Sequence, residues 1–443
     1  MSSQINRRVV RQVLVEWKRS KGMAFDRITS SAFREHRLGS RERRMTGDFL
    51  FAVLRFFPML LGLRWNPEDA DDLRKLDGLV DSLESSSDIF SELVKRHESA
   101  KPIFSKDPER HLREIHGLPE FILKEISEHE RSAWHDYLHD SMARASIGLR
   151  VSESLWEKMS AHSDIKPSQW LSGAFVMDES RDLVQLESEV GGPVEIQDEH
   201  SQIVGRILGV EPGMRVLDLC AGAGGKTLQL ASIMGSRGEI FVNDVSSKRL
   251  EELKKRARRL GISNIRIWDP AKDKNFDRIL IDAPCLGLGT LRRTPERLFR
   301  ITREDSEAIE RTQKNLIDQA LAIADPSTEI LYVTCSVRAA ENMRQFMVRD
   351  NYQVVSIPDR LKDQMGIERA NEFLTLAKSS SSYRLSLIDQ IDPTKQMGFM
   401  QWGPKAGSSL SNSHVSGSLK GDAFFVALVK CKNLEGKVTR TNS

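Results

Sequence analysis

The sequence predicts an α/β protein, with a mostly parallel sheet covered by helices on both faces, preceded by an all-helical domain and a small α/β linker domain. Three observations predict it. From Ile5 to about Glu130 apolar residues recur at helical spacing, as in Val9, Val10, Val13, Leu14 and Trp17. A second run, Met45 to Leu63, follows Ser40 as its expected cap. Between about Ala143 and Ile203, short apolar pieces (Ile147–Val151, Phe175–Met177, Leu183–Leu186) alternate with polar turns and Gly191-Gly192-Pro193, the rhythm of a small mixed module. Beyond Ile203 the β-rich runs Val216–Leu219, Ile240–Val242, Ile265–Trp268, Ile279–Ile281 and Ile330–Val333 are mostly separated by helical segments, which argues for a parallel sheet buried on both faces. The expected boundaries are 1–130 for the helical domain, 140–203 for the linker and 204–432 for the sheet domain. Within the last, the Ser- and Gly-rich stretch 377–420 reads as a long loop before a final strand, Ala423–Val429.

A chain of 443 residues is long enough for two or three separate cores. Its longest apolar run, Phe49 to Leu63, is interrupted by Arg55 and Pro58 and is shorter than the roughly 20 residues a membrane span requires, so it reads as a core helix. The N-terminal segment lacks the apolar stretch of a secretory signal, and a cytoplasmic location is expected. The four cysteines, Cys220, Cys285, Cys335 and Cys431, form no C-x-x-C pair and have no histidine pattern near them, so they suggest thiols with no metal site. A net charge of +3 from 66 basic and 63 acidic residues does not by itself select a nucleic-acid partner. Basic residues are nevertheless dense early in the helical domain (Arg7, Arg8, Arg11, Lys18, Arg19, Arg41, Arg43, Arg44), while acids gather between Glu68 and Glu98. Two solvated faces of opposite sign and an RNA-binding face explain this equally well.

After the first strand of the sheet domain comes Cys220-Ala221-Gly222-Ala223-Gly224-Gly225-Lys226-Thr227, then a helix. Such a turn brings backbone close to a ligand at a helix N-terminus. A dinucleotide fingerprint needs glycine three residues beyond Gly224, where Thr227 stands, and a phosphate loop needs glycine five residues before Gly225, where Cys220 stands. What remains is a methyltransferase-type turn. Asp244 ends the second strand, where a carboxylate can accept both ribose hydroxyls, and Asp269 follows the third, placed for an adenine amino group. Either aspartate alone is ordinarily a cap or turn residue, but three such features at consecutive strand ends match the ligand edge of an open parallel sheet.

Asp282-Ala283-Pro284-Cys285 follows the fourth strand and Thr334-Cys335-Ser336 the fifth, which brings two thiols to that edge. A lone cysteine there is usually a small buried hydrophobe, the reading that suits Cys220 and Cys431. A pair suggests covalent catalysis. Carbon 5 of a pyrimidine is too weakly nucleophilic to attack a methyl sulfonium until a thiolate has added at carbon 6, and a second group must then help release the product. Asp282 could recognise the exocyclic amine of a cytosine, which has to be unstacked to be reached. Spacing alone does not say which cysteine does which.

The segments CAGAGGKT at 220–227, DAPCLGLGTLRRTPE at 282–296 and TCSVRAAEN at 334–342, with QDEHSQ at 197–202, resemble the Fmu/Sun-type (Nol/Nop/Sun) RNA cytosine-carbon-5 methyltransferases, especially the bacterial 16S ribosomal RNA type. The N-terminal helices, including LGSRERR at 38–44, look like the NusB-like RNA-binding domain of the bacterial members. The resemblance implies a Rossmann-like methyltransferase with S-adenosyl-L-methionine as cofactor and 16S rRNA as partner; a monomer is expected. It makes Cys335 the nucleophile and Cys285 the residue that assists release. The cofactor site it implies is Cys220, Ala221, Gly222, Ala223, Gly224, Gly225, Lys226, Asp244, Asp269 and Asp282. Arg292 and Arg293 are then expected to contact phosphate near the target base, and the basic run Lys248–Arg259 to be a charged helix face. Leu286 departs from the serine usual after the release cysteine. A transfer-RNA substrate, or an RNA-binding assembly role without turnover, are the alternatives.

Overall fold

The computed structural model describes residues 5–20, 23–84, 88–99, 106–178, 181–378, 399–402 and 422–432. These fall into two compact units, one made of the described residues up to Ala143 with Leu291–Arg303, the other of the described residues in Arg144–Thr290 and from Glu304 onward.

The first unit is helical: α1 Arg7–Arg19, α2 Phe25–Glu35, α3 Ser40–Arg55, α4 Phe57–Leu60, α5 Ala70–Glu84, α6 Ile89–Glu98, α7 Pro108–Glu114, α8 Glu120–Leu123 and α9 Glu130–Asp140. In α1 the five apolar residues at helical spacing are the ones buried, and Asn6 caps the helix by accepting from the Val9 amide at 3.1 Å. Ser40 is not the cap of α3. Gly39 occupies that position without a side-chain bond, and Ser40 is the first helical residue. The run Phe49–Leu63 likewise divides, because Pro58 cannot sit inside a helix and instead falls in the first turn of α4. The unit runs on through α9 to Ala143, beyond the boundary near residue 130 that the periodicity indicated, and it takes in Leu291–Arg303. There the Arg300 guanidinium donates to the carbonyls of Met23 and Trp17, both at 2.7 Å.

The second unit opens with an antiparallel sheet of order β2-β3-β1-β4, built from β1 Ile147–Arg150, β2 Lys166–Pro167, β3 Ala174–Met177 and β4 Glu195–Ile196. Helices α10 Trp156–Ser160 and α11 Leu183–Val190 accompany it, so the apolar piece at Leu183 is helical. These elements lie within the same compact unit as the larger sheet. α12 Glu199–Ile207 leads into that sheet through β5 Arg215–Asp218, α13 Gly225–Ile233, β6 Glu239–Val242, α14 Ser247–Arg259, β7 Ile265–Ile267 and β8 Arg278–Asp282. It is completed by α15 Arg303–Ile323, β9 Glu329–Thr334, α16 Arg344–Met347, β10 Tyr352–Val354, α17 Ile357–Met365, α18 Ile367–Lys378, β11 Phe399–Trp402 and β12 Phe424–Cys431. The strand order is β10-β12-β9-β8-β5-β6-β7, with β11 paired to β12. From β7 to β9 the strands are parallel, and β12 closes antiparallel on β9. All six residues of β9 are buried, as expected of a strand covered on both faces.

The stretch expected as one long loop at 377–420 contains the end of α18 and the strand β11; its remainder lies outside the described residues. The QDEHSQ segment is structural. Asp198 caps α12, accepting from the His200 and Ser201 amides, and also accepts from the Asp422 amide ahead of β12. Gln197 and Gln202 bond Gln229 on α13 and the Leu149 carbonyl of β1, which ties the small sheet to the helix that follows the glycine turn. No helix among the described residues is long and apolar enough to cross a membrane.

The chain adds β6 and β7 on one side of β5 and then returns to add β8 and β9 on the other. Strand order reverses between β5 and β8, and in open parallel sheets the crevice at the carboxyl ends of such a switch point is where ligands bind.

Candidate active site

The turn after β5 is shaped by two left-handed glycines, Gly222 at φ +56° and Gly224 at φ +91°. A Cβ on Gly224 would approach Leu253 Cγ at 2.7 Å, so that position also needs glycine for space. Asp244, just past β6, holds the turn: one carboxylate oxygen accepts from the Gly222 amide at 2.9 Å, the other from the Ser246 amide at 2.8 Å. Arg256 on α14 donates to the Ala223 carbonyl at 2.7 Å.

Beneath the turn lies Asp218, 1% exposed, which accepts from the Thr227 hydroxyl at 2.7 Å and the Cys220 amide at 3.2 Å. Burial, with Asp282 adding repulsion, pushes its pKa up to about 7 against the pull of those hydrogen bonds. Lys226, also buried, donates to Asp282 Oδ2 at 2.8 Å. Burial works against its charge, but Asp282, with smaller pulls from Cys335 and Asp218, prevails and holds the ammonium above the usual lysine range. Asp282 Oδ1 is left for another donor on a side chain about one-third exposed (34%).

The two cysteines meet. Cys285 Sγ lies 3.2 Å from Cys335 Sγ. The hydrogen bond with Cys335 and burial hold the Cys285 thiol well above its ordinary pKa. Both loops are anchored on Glu341, which is fully buried. Its Oε2 accepts from the Leu286 amide at 2.8 Å and from Gln313 at 3.3 Å, and its Oε1 accepts from the Ser336 hydroxyl at 2.6 Å. Gly289 wedges between strands: its amide donates to the Cys335 carbonyl at 2.8 Å, and its own carbonyl accepts from the Ala423 amide at 2.8 Å. A Cβ there would stand 2.1 Å from the Ala423 oxygen and 2.9 Å from the Cys335 carbonyl carbon.

A glycine turn, an acid at the next strand end and paired thiols on two strands are now in one place, and residues 206–383 match the family described as 16S rRNA methyltransferase RsmB/F. This segment is similar to the Fmu/Sun-type methyltransferases. Ribosomal RNA small subunit methyltransferase F of Serratia proteamaculans (strain 568) is 32% identical over 192 residues, covering 41% of this chain and 40% of that protein. A probable ribosomal RNA small subunit methyltransferase B of Synechocystis is 33% identical over 171 residues, 37% of this chain and 38% of its own length. A putative methyltransferase of Mycobacterium tuberculosis is 38% identical over 159 residues, 34% and 35% of the two chains. The chain thus spans about two-fifths of the length of the curated relatives it matches. The crystal structure of PH0851 shares the fold, with a TM-score of 0.66 at 19% identity over 96% of this chain and 99% of that one.

Most of the residues expected from the Fmu/Sun-type motifs are brought together. Cys220–Lys226, Asp244, Asp282, Cys285 and Cys335 are joined by the contacts above. Asp269 follows β7 on the same edge, but its carboxylate is occupied locally by Lys272 at 2.9 Å and the Ala271 amide at 3.0 Å. Arg292 corrects the expectation of a phosphate contact: it is 8% exposed, and its Nε donates to the Ala143 carbonyl at 3.4 Å within the helical unit. The Lys248–Arg259 run is a structural helix face, with Arg256 and Arg259 both paired to the buried Glu195. Cys431 donates to the Leu321 carbonyl at 3.2 Å, a core role. Asp218 and Glu341 are the participants to which the sequence patterns assign no role. Their only signals are a position at the end of the β5 run and a place inside the 334–342 motif.

Two outcomes are expected. Asp218 holds a proton in the folded chain up to about pH 7 but, at its ordinary value of 3.8, loses it far earlier when unfolded. Its contribution to stability is therefore full below about pH 4 and is lost as pH rises through about 7. A carboxamide at this position can still accept from Thr227 without titrating, so denaturant unfolding should show the Asp218→Asn variant gaining on the wild type between about pH 4 and 7. A constant difference across that range would exclude the effect. Gly289→Ala should lower stability by about 1–3 kcal/mol through overpacking and displace Cys335 enough to cut methyl transfer at least about tenfold, read from thermal unfolding and single-turnover rates.

Proposed function

We propose that the protein transfers the methyl group of S-adenosylmethionine to carbon 5 of a cytosine in small-subunit (16S) ribosomal RNA. The observation that carries the reading is the 3.2 Å approach of Cys285 and Cys335 beside the Lys226–Asp282 pair. The cofactor's place is the 220–226 turn. The space above Gly222 is open, and Asp244, anchored by two amides, presents a carboxylate to ribose hydroxyls. When bound there, the cofactor supplies an electrophilic methyl group.

Cys335 adds as thiolate to carbon 6 of the unstacked base, which places electron density on carbon 5. Lys226 and Cys335 lie close enough to interact electrostatically. Asp282 accepts from the exocyclic amine through the oxygen that Lys226 leaves open. Carbon 5 then takes the methyl group, its proton passes to solvent, and the carbon 6–sulfur bond breaks as the ring double bond re-forms. The departing Cys335 sulfur accepts a hydrogen bond from the Cys285 thiol, which is the form burial favours for Cys285.

The helical unit is the RNA-binding, NusB-like part. Arg8, Arg11, Arg41 and Arg44 are exposed on α1 and α3, and none of them is paired with a carboxylate among the described residues. Such guanidinium groups suit phosphate binding, which fixes register while base recognition lies at the catalytic edge.

Expressing Cys285→Ala in cells should leave an RNase-sensitive, upshifted band on a denaturing gel, which Cys335→Ala abolishes in the double variant. Sequencing the attached RNA names the nucleotide. A folded Cys285→Ala chain that binds S-adenosylmethionine and forms no adduct would sink the two-cysteine scheme. Replacing Arg8 and Arg41 by alanine should weaken RNA binding and reduce the slope of log K against log salt by about 0.7–0.9 for each phosphate no longer neutralised. An unchanged slope removes those arginines from the interface.

A further inference from the structure

Five of the ten histidines converge in the interior of the helical unit, where the methyl-transfer chemistry has no use for them. His97 lies on α6, His111 on α7, His116 just after α7, and His135 and His139 on successive turns of α9. Their ring centroids are 5.1 Å apart for His97–His116, His111–His116 and His111–His135, and 5.7 Å for His116–His135. His97, His111 and His116 are at most 1% exposed.

Neither ring nitrogen of His116 has a hydrogen-bond partner among the described residues, although the residue is 1% exposed. A buried polar group in that state costs about 1–3 kcal/mol, and native interiors rarely leave one so. One ligating nitrogen from each of His111, His116 and His135 lies within 4.8 Å of the other two. Tetrahedral bonds of about 2.0–2.1 Å need nitrogens about 3.4 Å apart, within reach of modest ring rotations. Asp136 lies 3.2 Å from the His135 Nδ1, the carboxylate–histidine arrangement that supports a metal ligand.

We infer that His111, His116 and His135 form a structural site for a divalent zinc ion that pins α7, the turn after it and α9 together. An all-imidazole set suits zinc among the first-row metals, and ligands this buried describe a closed structural site, not a catalytic one. Either His97, beside His116, or His139, beside His135, supplies the fourth ligand.

The test uses the full-length chain without a polyhistidine tag. Elemental analysis of the purified protein should find about one zinc per chain, and chelation should lower the thermal midpoint, with added zinc restoring it. Cobalt(II) added to the stripped wild type should give the intense visible absorption of four-coordinate cobalt. His116→Gln and His135→Gln should each lower zinc affinity at least about tenfold, while His162→Ala, outside the cluster, leaves it unchanged. If either glutamine variant fails to fold, the cobalt spectrum of the wild type decides. Substoichiometric zinc with no thermal shift, weak six-coordinate cobalt absorption, or full zinc binding by both glutamine variants would overturn the site and leave a packed cluster of neutral imidazoles.

Discussion

The buried carboxylate of Glu341 is the interaction on which the catalytic geometry depends. It accepts from the Leu286 amide in one cysteine loop and from the Ser336 hydroxyl in the other. Those loops follow different strands and come from positions fifty residues apart in the chain, 285 and 335, so nothing local brings their sulfurs to 3.2 Å. Arg338 lies 3.8 Å from Glu341, and the Tyr332 hydroxyl donates to its backbone carbonyl at 2.7 Å. A buried network of this kind favours one arrangement, because breaking any of its bonds leaves a buried group unpaired at a cost greater than the bond contributes.

A second balance surrounds Lys226. Removing an ammonium from water opposes its charge, yet Asp282 at hydrogen-bond distance more than offsets that cost. Burial, with Asp282 adding to it, has the opposite effect on Asp218, which is driven toward its neutral form. One aspartate is thus a hydrogen-bonded support beneath the turn and the other a partly exposed group at its mouth, though both sit at the ends of adjacent parallel strands. Environment, more than residue type, separates the two roles.

The helical unit shows how one element can carry several functions. Its core is the apolar stripe of α1 and α3, its surface carries exposed arginines, and its histidines fill a second interior region. Leu291–Arg303 belongs to it, although the chain has only just left the Cys285 loop. That membership explains why Arg292, so close in sequence to the catalytic motif, spends its guanidinium on a backbone carbonyl.

Periodicity and turn chemistry in the sequence by themselves determined the helical N-terminal region, the parallel strands β5 to β9 and the glycine turn, since hydrophobic spacing and left-handed backbone are local properties. Motif positions also placed Cys285, Cys335, Asp244 and Asp282 at one sheet edge, because parallel strands bring their carboxyl ends together. The short strands β10 and β11 are not legible in the sequence because their pairing with β12 supplies the stability that three or four residues lack alone. Only the tertiary structure decided that Asp218 and Glu341 support the site, that Arg292 is buried and that five scattered histidines meet. Burial and charge coupling depend on neighbours distant in sequence, and no local pattern encodes them.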